Sequence, residues 1–142
     1  AIDRVRASAP ERRDPALPPQ ALVLAATDPA NPYGAALPWP ARPDAGGHKP
    51  GRKAGALVVL VDGELALYVE RGGRTLLTWS DEPDVLRETC GALASAVRSG
   101  LLGRLTVHKA DGAHVLAPGS ALGAALEAAG FVATPQGLRL RP

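Results

Sequence analysis

Two tight-turn signals inside one long apolar run constrain this chain more than any other feature. The segment GALVVLVDGELALYVERGGRTLLTW, residues 55–79, carries Asp62-Gly63 and Gly72-Gly73 between strand-like stretches. Both pairs are two-residue hairpin signals. They predict an antiparallel meander with Val61 opposite Glu64 and Arg71 opposite Arg74. Side chains alternate along a strand, so this register collects Val58, Leu60, Leu65, Leu67, Val69 and Leu76 on one face. Leu57, Val59, Ala66, Tyr68, Leu77 and Trp79 fall on the other. Both faces are largely apolar. Such a meander must be covered on both sides or curl into a barrel.

The flanking segments read as simpler elements. ALVLAAT, residues 21–27, is a strand stopped by Asp28-Pro29. A helix is expected from about Glu82 to Ser99, with Ser80 or Asp81 as cap, Pro83 in its first turn and Gly100 at its end. Leu86, Cys90, Leu93 and Val97 lie on one stripe at helical spacing. A hairpin turning at Asp111-Gly112 follows, then a short helix from Ser120 with Leu122, Leu126 and Ala129 inward. FVATPQGLRLR adds strand-like pieces around a Thr134–Gly137 turn. The order gives an α+β class, an antiparallel β-meander or barrel-like sheet with two helices packed on it. Residues 21–142 make that domain. The charged, then Pro-rich residues 1–20 read as a linker or the end of a preceding domain.

Several classes of function drop out at once. Net charge is +2, too small to identify a nucleic-acid binder by composition. No apolar run approaches the roughly 20 residues of a membrane helix, and no signal-peptide pattern opens the chain, so a cytoplasmic location is expected. The single cysteine, Cys90, excludes an internal disulfide and a cysteine-based zinc site. No P-loop, dinucleotide fingerprint, HExxH or GxSxG motif is present. His108 and His114 fall on opposite sides of their hairpin, because Lys109 faces His114; no metal site is expected. Asp81, Glu82 and Asp84 sit where a helix start is stabilised by negative charge.

The remaining oddity is ATDPANPYGAALPWP, residues 26–40, where a chain with 4% aromatics places Tyr33 and Trp39 among prolines. Asp28 and Asn31 are the loop residues with chemistry suited to catalysis, although Asp before Pro is a common turn starter. A basic excursion follows, with Arg42, His48, Lys49, Arg52 and Lys53 against Asp44. Arg71 and Arg74 flank the Gly-Gly turn. Aromatics beside cations match a single-strand binding surface. The same composition also fits a solvated basic loop with Trp39 folded back as a core plug. Proline fixes φ and lowers the ordering cost of a long irregular loop, so the segment reads as a stiff strap setting where Tyr33 and Trp39 point.

Taken together, DPANPYGAALPWP, GHKPGRKAGALVVLVDGELALYVERGGRTLLTW and GFVATPQGLRLR resemble the extreme C-terminal end of the Large helicase-related (Lhr) proteins, from about Leu22 to Arg141. These are long bacterial ATP-dependent 3′-to-5′ DNA helicases. The resemblance implies that the motor, with its ATP and Mg²⁺, lies N-terminal to this region, and it implies no cofactor here. It implies a terminal β-barrel-like module after tandem winged-helix units, in an extension similar to winged-helix DNA glycosylases and associated with self-assembly. The implied role is a non-catalytic accessory module assisting nucleic-acid binding. The alternatives are an oligomerisation module, or part of a glycosylase-like unit. The implied partners are DNA, single-stranded or hybrid, other domains of the same chain and further copies, with no membrane. A glycosylase needs a polar group aimed at the anomeric centre and a pocket for the extruded base. No residue here maps onto that role.

Overall fold

In the computed structural model the described residues are 20–41, 49–100, 102–117 and 119–140. The linker expected at 1–20 lies outside them apart from Gln20.

The meander forms, and a strand is added at its edge. β1 (Ala21–Ala25), β2 (Leu57–Val61), β3 (Glu64–Val69) and β4 (Thr75–Thr78) pair antiparallel in that order. Asp62 and Gly63 sit at φ 52° and 86°, as a primed two-residue turn requires, and Val61 does face Glu64. Beyond that pair the expected register fails. Leu60 faces Leu65 but Val59 faces Leu67, so Ala66 is an extra, bulged residue. The bulge changes the company of each face. Val59 joins Leu67, Val69 and Leu76 on one side, while Val58 and Leu60 join Leu65, Tyr68 and Leu77 on the other.

The Gly72-Gly73 connection also differs. Glu70 N–H donates to Thr75 O and Gly73 N–H to Glu70 O, so the loop closes at Glu70 and Thr75 rather than at Arg71 and Arg74. Both glycines hold positive φ within it.

The meander is covered twice and does not close into a barrel. One face takes α1 (Pro83–Arg98), whose Leu86, Cys90, Leu93 and Val97 are buried as the stripe predicts. Glu82 is its N-cap residue, and no side chain caps it; the Ser80 hydroxyl instead accepts from Glu82 N–H. Pro83 at the first turn removes one of the N–H groups a cap would serve. The other face is covered by the Pro-rich strap. The structure thus takes the two-sided covering instead of the barrel.

The second hairpin is shorter than its sequence suggests. β6 (Lys109–Ala110) and β7 (Ala113–His114) turn at Asp111-Gly112 and extend the first sheet, with β6 parallel to β4. β5 (Leu105–Val107) joins β9 (Gly137–Leu140) and β8 (Val132–Thr134) in a separate three-stranded sheet. The chain changes sheets at His108, where the N–H groups of His108 and Lys109 both donate to Arg74 O. α2 (Ala121–Ala128) is capped by the Ser120 hydroxyl, which accepts from Gly123 N–H, and buries Leu122 and Leu126 against α1.

Candidate nucleic-acid interface

The strap departs from β1, where Ala26 N–H still donates to Ala56 O. Lacking a regular ladder, it satisfies its backbone partly by turn bonds such as Asn31 N–H to Asp28 O and Leu37 N–H to Pro32 O, and partly through side chains. Asp28 Oδ1 accepts from Ala30 N–H at 2.8 Å, an Asx turn. Asn31 is buried; its amide donates to Ala26 O and Tyr33 O, and its oxygen accepts from Tyr33 N–H. Arg52 completes the set. Its Nη1 donates to Asn31 O at 2.8 Å and Tyr33 O at 3.0 Å, and its Nη2 to Asp28 O at 3.2 Å. A guanidinium fork suits this job, since it presents several donors in one fixed plane.

The strap's rings pack inward. The Tyr33 and Trp39 centroids lie 6.4 Å apart and stacked, and Trp39 meets Tyr68 edge-on at 5.7 Å. Gly34, at φ +80°, makes the turn between them; a Cβ there would come within 2.7 Å of Trp39 Nε1. The Tyr33 hydroxyl donates to Gly63 O and accepts from Leu65 N–H. Burial, with Glu64 nearby, raises its pKa despite that N–H bond. Tyr68 is fully buried, with its hydroxyl donating to Gly51 O. Burial first, then the negative charge of Glu70, pushes it to about 12. Trp79 Nε1 donates to Pro40 O and fastens the far end of the strap.

The sequence candidates therefore separate. Asp28, Asn31 and Arg52 hold backbone, while Tyr33 is buried and Trp39 half-buried. Arg42 and His48 lie outside the described residues. Lys49, Lys53, Arg71 and Arg74 are exposed. Lys53 Nζ lies 3.5 Å from Glu70 Oε1, and Arg71 lies so close over Gly55 that a Cβ there would come within 2.8 Å of its Cγ. Lys53, Arg71 and Arg74 thus gather at the end of the sheet where β3 turns into β4.

Sequence reading missed Tyr68 as a partner of Trp39, because the bulge decides which face it shares. It also passed over Lys109, whose N–H donates to Arg74 O, and Arg104, which precedes the Leu105 packed on Gly73. Their distance along the chain gave no signal.

A cleft of about 330 Å³ lies elsewhere, among Ser80, Asp81, Asp111, His114 and Ser120. Thr78 N–H donates to Asp111 Oδ1 at 2.8 Å, and Leu116 N–H to His114 Nδ1 at 3.1 Å. Lys109 faces His114 across the hairpin, the register that sets His108 on the opposite side. No group of three His, Cys, Asp or Glu among the described residues could hold a metal ion. Burial pushes the Cys90 thiol to about 12, so it stays protonated at neutral pH and is a poor nucleophile. No described helix is long and apolar enough to cross a membrane.

Against known proteins, the chain is 49% identical over 146 residues to the "Lhr helicase/ probable uracil glycosylase" of Mycolicibacterium smegmatis, covering 99% of this chain and 10% of that protein. The "Lhr helicase/uracil glycosylase" of Escherichia coli is 39% identical over 118 residues, covering 82% of this chain and 7% of that protein. The chain spans a tenth or less of these relatives. No protein-family model matches it.

Proposed function

The chain belongs to the Lhr helicase family, matching a C-terminal fragment of those proteins, and we propose that it serves a parent helicase as a non-catalytic module that grips nucleic acid by its phosphates. ATP hydrolysis belongs, in this reading, to a motor outside this chain. The observation that carries it is the gathering of Lys53, Arg71 and Arg74 around one turn. Flexible cations on a glycine-containing turn can approach a phosphate backbone closely, and such contacts position a partner without reading its sequence. Fluorescence anisotropy of labelled DNA, at low and physiological salt, tests it. Binding should weaken steeply with salt and further in Lys53→Ala/Arg71→Ala/Arg74→Ala. Affinity indifferent to salt would defeat the proposal.

The relatives' names and the cleft favour a second reading, a contribution to uracil release. Asp81, Asp111 and His114 there supply groups able to activate water. Uracil release lost in Asp81→Asn would support this reading. No release by this chain or by a longer C-terminal segment would remove it.

A further inference from the structure

We infer that Arg104 and Lys109 complete the cationic rim around the β3–β4 turn, and that this rim holds a phosphate backbone without base stacking, so duplex is bound at least as well as single strand. The inference rests on the nucleic-acid reading above.

The convergence is built by backbone contacts. Gly73 sits at φ +79° with no room for a Cβ against Leu105, so the start of β5 packs on the turn and Arg104 is the residue just before it. Arg74 O accepts from the N–H groups of His108 at 2.8 Å and Lys109 at 3.0 Å, and Lys109 faces Thr75 across the parallel pair. Arg104 and Lys109 are both exposed. The carboxylate within the turn, Glu70, is half-buried and ion-paired with Lys53.

Most of the described acids near the sheet lie at the opposite end of the strands. Asp62 in the β2–β3 turn and Glu64 at the start of β3 lie there, Asp81, Glu82 and Asp84 lie at the start of α1, and Asp111 is held by Thr78 at the far end of β4. Among the described residues cations therefore outnumber acids at the β3–β4 end, where Asp28 and Glu70 also lie, and acids outnumber cations at the other, roughly 16 Å away for a five-residue strand. A polyanion meets attraction at one end and repulsion at the other.

Stacking is absent for a structural reason. The chain has five aromatic residues. Tyr33, Tyr68 and Phe131 are buried, Trp39 is packed between Tyr33 and Tyr68, and half-buried Trp79 is tied to Pro40 O. Single-strand binders depend on rings that bases can cover. With no ring fully exposed and both tryptophans engaged, phosphate density decides, and duplex carries more of it.

The test is anisotropy with a labelled duplex and a single strand of equal length, titrated across salt. Three proteins are compared: the native chain, Arg104→Ala/Lys109→Ala, and the charge-keeping Arg104→Lys/Lys109→Arg. Circular dichroism and melting confirm folding, and the single Gln substitutions serve if the double Ala variant does not fold. Expected results are duplex affinity at least equal to single strand, and a salt slope lower by about 2 in the double Ala variant. The charge-keeping variant should retain the native slope. A clear preference for single strand overturns the inference, as does an unchanged slope in the double Ala variant while Lys53→Ala/Arg71→Ala/Arg74→Ala loses binding. Absence of binding to either nucleic acid at low salt overturns the underlying reading as well.

Discussion

The two coverings of the central meander solve one problem with opposite means. α1 meets its face with Cys90, Leu93 and Val97, and its backbone polar groups are satisfied within the helix. The strap meets the other face without regular structure. Its Pro32–Leu37 turn closes with backbone bonds, while Asp28, Asn31 and Arg52 hold the segment from 26 to 33 and the Tyr33 hydroxyl ties it to the β2–β3 connection. A helical cover is held mainly by volume, an irregular cover by bonds. Five of the residues most suggestive of ligand binding in sequence, Asp28, Asn31, Tyr33, Trp39 and Arg52, are taken up by the irregular cover.

The helical side should be the more fragile to loss of volume. Leu93 is fully buried, and Leu93→Ala should remove about 2–5 kcal/mol of stability, read by urea unfolding. On the strap side the comparable loss comes from removing bonds while keeping bulk. Arg52→Met withdraws the donors of three carbonyl contacts and should cost about 1–3 kcal/mol, with Arg52→Lys recovering only part because an ammonium lacks the fork. If Arg52→Met were neutral, the strap would be held by its rings alone.

Alkaline pH should strike both sides, through Cys90 under α1 and Tyr68 under the strap, and the Tyr68 part can be isolated by substitution. Tyr68 ionises near 10.0 when unfolded and about 12 when folded, so the folded state retains the proton more tightly. This stability is fully present below pH 10 and is lost as pH rises toward about 12. Melting temperatures over that window should fall less in Tyr68→Phe than in the native chain; equal falls would contradict it. The smallest effect belongs to the rim. Arg71→Ala/Arg74→Ala should change stability by no more than about 0.5 kcal/mol per site, since both are exposed and outside the core.

What was legible in sequence was local. Asp62-Gly63 and Asp111-Gly112 announced their turns, with Asp62 and Asp111 at φ 52° and 53°, and the Leu86–Cys90–Leu93–Val97 stripe announced α1. The bulge at Ala66 left no trace because both faces are apolar. Sliding such a strand by one residue exchanges one apolar set for another, so pattern fixes register only weakly. Arg52's partners in the fold are backbone carbonyls, which have no sequence signature, so its place under the strap is not legible from the residues around it. Arg104 and Lys109 joined the rim only through the Gly73–Leu105 packing and the bonds to Arg74 O.

The most direct measurement pairs thermal melting with DNA anisotropy on Trp39→Leu and Lys53→Ala/Arg71→Ala/Arg74→Ala. If the strap is architecture and the rim is the contact surface, Trp39→Leu lowers the melting temperature and keeps its affinity, while the triple variant keeps its melting temperature and loses affinity. A folded Trp39→Leu chain that no longer holds DNA, beside a triple variant that does, would contradict this division of roles.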